Sequence, residues 1–243
     1  MVEYPARKAI VVGASSGIGR ELATLLSREG YSVAVTARRI SLLEELAADD
    51  PGITHTREMD VTDPERAVAA LLELTEEMGG VDLIVISAGT GFLNPDLDWE
   101  KEERTIAVNV TGFTAVAGAA MRYFLGRGKG HLVGISSIAS LRGGRAAPAY
   151  NASKAFMSNY LEGLRLKAMR EDGGITVTEI MPGLVDTAMA KGDGLFWLAP
   201  PRVAARQIMR AIERKKKRAY VTRRWRLIAR FYRFAPDGIF AKV

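Results

Sequence analysis

Residues 8–26, KAIVVGASSGIGRELATLL, change character twice within a short span. Lys8 to Val12 is a continuous apolar run of the kind found in a buried strand. Gly13, Gly17 and Gly19 then break the pattern. Beyond them the apolar residues Ile18, Leu22, Leu25 and Leu26 recur at i, i+4, i+7 and i+8, the spacing of one helical face. The stretch reads as strand, glycine turn, helix. Glycine tolerates positive φ and lets another backbone come close. A helix starting at such a turn points its unpaired N–H groups outward, where they suit a phosphate.

Working outward, apolar or alternating runs return at Tyr31–Ala37, Ile53–Asp60, Leu83–Ile86, His131–Ser137, Ile175–Ile180 and Arg218–Thr222. Helical patterns lie between them: one opened by Thr62 or Asp63 before Pro64, then Asp98–Gly126, Ala149–Gly163 and Pro201–Glu213. Strands alternating with helices predict an α/β protein, a single doubly wound domain with a mostly parallel sheet of about seven strands and helices on both faces. A chain of 243 residues, 48% apolar and 26% charged, is the right size for one such domain. No cysteine is present, which excludes disulfides, a thiol nucleophile and thiolate metal sites. His55 and His131 match no metal-ligand spacing and read as strand residues, so no metal is expected. The opening residues lack the layout of a secretory signal, and no run approaches the length of a membrane span. A cytoplasmic location is the expectation.

A second stretch, ISSIASLRGGRAAPAYNASK at 135–154, carries the chemistry. Tyr150 and Lys154 are four residues apart in a helical pattern, hence neighbours on one face. An ammonium beside a phenol should lower the tyrosine pKa and poise it for proton transfer. Ser137 closes an apolar run, at the carboxyl end of a strand, where open α/β sheets bind ligands. Ser136 and Ser137 should point to opposite faces.

GASSGIG at 13–19, Asn109 within AVNVTG, Ser137, the Tyr150–Lys154 pair and PGLVDT at 182–187 stand in an order that resembles the short-chain dehydrogenase/reductase family, over residues 8 to about 222. The resemblance implies a Rossmann-type fold and hydride transfer between a nicotinamide cofactor and a carbonyl or alcohol carbon. It implies a catalytic tetrad: Tyr150 as proton donor, Ser137 polarising the substrate oxygen, Lys154 lowering the tyrosine pKa and holding the ribose, and Asn109 linking to the lysine through water. It also implies that Gly13, Ser15, Ser16, Gly17, Ile18 and Gly19 cradle the cofactor phosphates and that Asp60 and Val61 meet adenine. Ala88 and Gly89 would allow close approach, with Ser87 standing where the family usually has asparagine. Pro182, Gly183, Val185 and Thr187 would hold the nicotinamide carboxamide. NAD-binding relatives carry an acid at the end of the second strand; here Ala37 stands there with Arg38 beside it, so NADPH is expected over NADH. Residues 188–200 occupy the place of the family's substrate lid, and Leu195, Phe196, Trp197 and Leu198 would suit a nonpolar ligand, although the same run could be a short core helix. A homodimer or homotetramer is the family's habit. The implied activity is NADPH-dependent reduction of an apolar or lipid-like ketone or aldehyde. Oxidation of an alcohol or hydroxysteroid, or a non-catalytic NADPH-binding regulator, are the alternatives.

The net charge of +6 is concentrated at one end, because residues 214–233 hold ten Arg or Lys and no acid, leaving −4 for the remainder. The chain therefore divides into a catalytic domain, 1–222, and a basic amphipathic extension, 223–243. From Arg223 a helix would align Arg223, Arg226, Arg230 and Arg233, with Trp225, Leu227, Ile228, Phe231, Tyr232 and Phe234 around the rest. That pattern suits an anionic membrane surface or a neighbouring subunit. Nucleic acid is not the expected partner, since no recognition motif accompanies the charge.

Overall fold

The computed structural model describes residues 7–170, 173–189, 197–222, 224–234 and 236; the side chains of 230–234 are outside this description. Seven strands form one sheet: β1 Lys8–Val12, β2 Ser32–Ala37, β3 Ile53–Glu58, β4 Leu83–Ile86, β5 Gly130–Ile135, β6 Ile175–Pro182 and β7 Arg218–Val221. Their order is β3-β2-β1-β4-β5-β6-β7, and every pair is parallel rather than most of them. The chain winds outward from β1 through β2 to β3, then returns to place β4 on the other side of β1. That reversal opens a crevice beyond the carboxyl ends of β1 and β4, where ligands bind in sheets of this kind.

The central strands are covered on both sides, which is why their sequences are apolar throughout instead of alternating. Helices α1 Gly17–Arg28, α2 Ile40–Asp49 and α7 Pro201–Glu213 cover one face, where Leu22, Leu26, Leu43, Ile208 and Ile212 join one core. Helices α3 Pro64–Glu77, α5 Phe113–Arg127 and α6 Pro148–Ala168 cover the other, where Leu71, Leu74, Phe113, Phe124 and Leu161 join a second. Local signals set the boundaries. Asp63 caps α3 by accepting from the Arg66 N–H at 3.2 Å, with Pro64 in the first turn. Gly128 ends α5 at φ +67°.

The helical region read as continuous from Asp98 is interrupted. α4 Trp99–Ile106 runs into a wider π-type turn, Ala107–Gly112, before α5 begins. Asn109 sits inside that turn and is fully buried. Gly112 is needed there because any Cβ would overlap the Val61 backbone, so the helix passes directly over the residues that follow β3. Helix α8, Trp225–Phe234, follows β7 and packs on it and on a single turn at Ile138–Leu141. No helix among the described residues is long and apolar enough to cross a membrane.

Candidate active site

A cleft of about 780 Å³ lies along the carboxyl edge of the sheet, and it gathers the sequence-selected residues from most of the chain's length. The glycine turn forms its base. Gly13 adopts φ +88°, and a Cβ on it would overlap the Ala88 backbone, which is how β1 and β4 close together at the crevice. Gly17 adopts φ +59°, with Thr187 Cγ2 3.0 Å from where a Cβ would stand, so the loop after β6 folds over the start of α1. Ser15, Ser16, Gly17 and Ile18 line the cleft at that helix end.

At the end of β2, Arg38 is exposed and lines the cleft. Its neighbour Arg39, which the sequence reading passed over, is the residue that is held: its Nη2 donates to Ser15 Oγ at 2.9 Å and to Ser16 Oγ at 3.1 Å. The signal was available in the paired arginines, but which of the two reaches the serines cannot be read from their adjacency in the sequence. Asp60 and Val61 line the cleft under the π turn, and Asp60 Oδ1 accepts from the Thr62 N–H and hydroxyl at 2.9 and 2.8 Å. Ala88 and Gly89 also line it; a Cβ on Gly89 would lie 3.2 Å from Lys154 Nζ and 3.4 Å from Asn109 Oδ1, so these two groups face one another across this glycine.

Ser137, Tyr150, Lys154 and Asn109 come together from four segments. Ser137 follows β5, is nearly buried, and its hydroxyl donates to the Pro182 carbonyl at 3.5 Å while lining the cleft with Tyr150. Its Oγ also accepts from the Ala139 N–H at 3.1 Å. Ser136 turns away, donating to Glu179 Oε1 at 2.8 Å, so strand alternation separates the two serines as expected. Lys154, one turn after Tyr150 on α6, is buried with its ammonium 5.8 Å from the Tyr150 ring centroid and donating to the Ile135 carbonyl at 3.2 Å. Asn109 donates to the Thr90 carbonyl at 2.7 Å and to Ser153 Oγ at 3.0 Å, and accepts from the Thr90 N–H at 2.9 Å. It therefore ties the loop after β4 to the helix carrying Tyr150.

One electrostatic expectation is reversed. Burial pushes the Tyr150 phenol above its usual range, against the opposing effect of the nearby Ser137 hydroxyl. Lys154 does not lower it; burial instead brings the lysine down to about 8. The ammonium is hydrogen-bonded to the Ile135 carbonyl instead, and desolvation of the phenol outweighs other influences on it.

Pro182, Gly183, Val185 and Thr187 form the wall after β6. Beyond it, Asp186 N–H donates to the Ala199 carbonyl at 2.9 Å and Ala199 N–H to the Leu184 carbonyl at 3.1 Å. Of the residues expected in a lid, Leu195 and Phe196 lie outside the described residues, and Trp197 and Leu198 are exposed. The sequence reading also missed Trp225. This residue of α8 is buried, lines the cleft, and packs so closely on Gly183 that a Cβ there would overlap the indole. Its ring meets that of Trp197 edge-on at 6.3 Å. A helical wheel shows an apolar stripe, but not that its first residue turns back into the domain.

The profile of the short chain dehydrogenase family matches residues 7–194. The chain belongs to that family. An uncharacterized oxidoreductase of Myxococcus xanthus is 40% identical over 194 residues, spanning 78% of this chain and 76% of its own. One from Mycobacterium tuberculosis is 33% identical over 225 residues, 88% of each chain. The crystal structure of a short-chain dehydrogenase from Streptomyces avermitilis superposes with a TM-score of 0.82 at 26% identity, over 98% of this chain and 95% of that one. This short-chain dehydrogenase is an oxidoreductase of a family that uses NAD or NADP, acts on small molecules and commonly forms oligomers. The cleft fits a dinucleotide: a positive-φ glycine at a helix start and an arginine clasping two serines suit its phosphates, and no group of His, Cys, Asp and Glu able to hold a metal occurs among the described residues.

Proposed function

We propose that the protein reduces a ketone or aldehyde with an apolar body, using NADPH. The observation that carries this reading is the gathering of Ser137, Tyr150 and Lys154 in one cleft floored by the glycine turn, with Lys154 buried behind it. When bound, the nicotinamide supplies the hydride. Tyr150 gives its phenolic proton to the substrate oxygen; a phenol held protonated by burial is an acid at neutral pH, which suits reduction. Ser137 orients that oxygen. Lys154 provides positive charge beside the phenolate that remains and lies where ribose hydroxyls would be held. Asn109 fixes the loop whose Gly91 abuts the tyrosine ring.

Gly13, Ser15, Ser16, Gly17, Ile18 and Gly19 would hold the phosphates, Asp60 and Val61 the adenine, Ala88 and Gly89 the inner ribose, and Pro182, Gly183, Val185 and Thr187 the carboxamide. Arg38 and Arg39, with no acid at the end of β2, favour the 2′-phosphate of NADPH. Arg39→Ala should raise the NADPH dissociation constant well above that for NADH, and Arg38→Ala by less.

The decisive test is Tyr150→Phe assayed with NADPH and a panel of apolar ketones, with nucleotide binding followed by fluorescence. Turnover should fall by about 10²–10⁴-fold while NADPH still binds. Unchanged turnover sinks the assignment, and NADPH binding with no turnover of any carbonyl or alcohol by wild type favours the regulator reading.

A further inference from the structure

Charge is unequally placed along the cleft. Among the described residues lining it the one carboxylate is Asp60, just past the edge strand β3. At the opposite end, around Tyr150, stand two exposed guanidinium groups, Arg104 and Arg145. They come from different elements but flank one loop. Arg104, on α4, has its Cζ 5.8 Å from the Phe92 ring centroid. Arg145 precedes Ala146, whose carbonyl accepts from the Asn94 N–H at 2.7 Å. The same loop reaches the tyrosine, since a Cβ on Gly91 would lie 2.9 Å from Tyr150 Cε2. The two arginines thus rim the mouth just beyond the phenol.

Exposed arginines commonly pair with nearby acids. Here the ion pairs among the described residues engage Arg57, Arg66, Lys101 and Arg218 instead. Among the described lining residues no carboxylate stands with these two guanidinium groups, and Glu102, on α4 with Arg104, is taken by Asn94, so the pair raises the local potential and recruits anions. Arginine's planar fork matches a carboxylate or phosphate better than a lysine would. The same cleft is also lined by the apolar Ile138, Leu184, Met189 and Trp225.

We propose that the substrate is an anionic amphiphile: a carbonyl compound with an apolar body and a carboxylate or phosphate at its far end, held by Arg104 and Arg145. This rests on Tyr150 marking the reacting end of the cleft.

The test compares an aliphatic oxo acid with its methyl ester, which keeps the carbonyl and the chain, on wild type, Arg104→Ala, Arg145→Ala and the double variant at saturating NADPH. Wild type should favour the acid in kcat/KM by roughly tenfold, about the worth of one charge-assisted hydrogen bond. The ratio should collapse toward one in the double variant, through KM, and shrink in high salt. A ketone ending in a phosphate monoester shows which anion the pair prefers. Equal use of acid and ester by wild type, or a ratio untouched by the double variant, overturns the proposal. If NADPH binds but no carbonyl is turned over, the reductase reading has failed and the subsite is judged by thermal shift of the NADPH complex. A shift by the acid, absent with the ester and lost in the double variant, then supports the subsite; no such difference removes it.

Discussion

His131, near the start of β5, shows how a residue that resembles a ligand is committed to structure. Its Nε2 lies 2.8 Å from the Thr178 hydroxyl, and that hydroxyl donates its own proton to the Lys216 carbonyl at 2.6 Å. The ring must therefore donate through Nε2, which fixes the neutral tautomer. Burial, aided by Lys215, lowers its pKa to about 4. The unfolded chain takes up a proton near pH 6.5 and the folded one only near 4, so this residue costs stability progressively as pH falls through that window. The loss should reach on the order of 3 kcal/mol. Urea midpoints of wild type and His131→Asn should converge as pH falls from 7 to 4. Lys154 acts at the other end of the scale: with its pKa at about 8, the free enzyme loses the ammonium as pH rises past that value. The kcat/KM for NADPH should fall correspondingly above pH 8, and a flat profile to pH 10 would remove the lysine from that role. Glu179 is wholly buried, and Arg218 reaches it at 2.6 Å while keeping 32% of its side chain in solvent. Arg218→Met should cost about 3 kcal/mol by leaving a buried carboxylate unpaired, with part regained in the double variant with Glu179→Gln.

At the scale of elements, the loop after β4 and helix α8 decide how well the cleft is formed. A Gly91→Ala methyl would press on the Tyr150 ring, so kcat should drop while NADPH affinity holds. Trp225→Ala removes a buried indole and should cost about 3–5 kcal/mol in denaturant unfolding. It should also raise KM for narrow ketones more than for broad ones. The elements around the glycine turn and Tyr150 were legible in the sequence because each rests on local chemistry: a glycine turn, a proline at a helix start, an i, i+4 pair. What escaped depends on distant packing. The interruption at Ala107–Gly112 follows from α4–α5 crossing over Val61, which no periodicity within the helix reports. The tyrosine pKa went the other way because spacing gives proximity but not the desolvation that opposes it. Arg39 and Trp225 were visible as residues, but neither adjacency nor a helical wheel gives the direction each takes.

For the whole molecule, the basic end is less detached than its composition suggests. Trp225 and Ala229 of α8 are buried against the domain, whereas Arg226 and Leu227 are exposed. Part of the apolar stripe that suited a membrane or another subunit is therefore used within the chain. If the remaining face also meets an anionic bilayer, vesicles containing phosphatidylserine should retain the protein at low salt and release it at high salt, and neutral vesicles should not retain it. The placement of Trp225 has another consequence. The family profile ends at residue 194, yet a wall of the cleft is built by residue 225. Selection can then remodel which molecules enter by editing helix α8, leaving Ser137, Tyr150 and Lys154 untouched. During synthesis the same order means that the nucleotide end of the cleft leaves the ribosome first and the final wall arrives last. A nascent chain could take up its cofactor before it can discriminate among substrates.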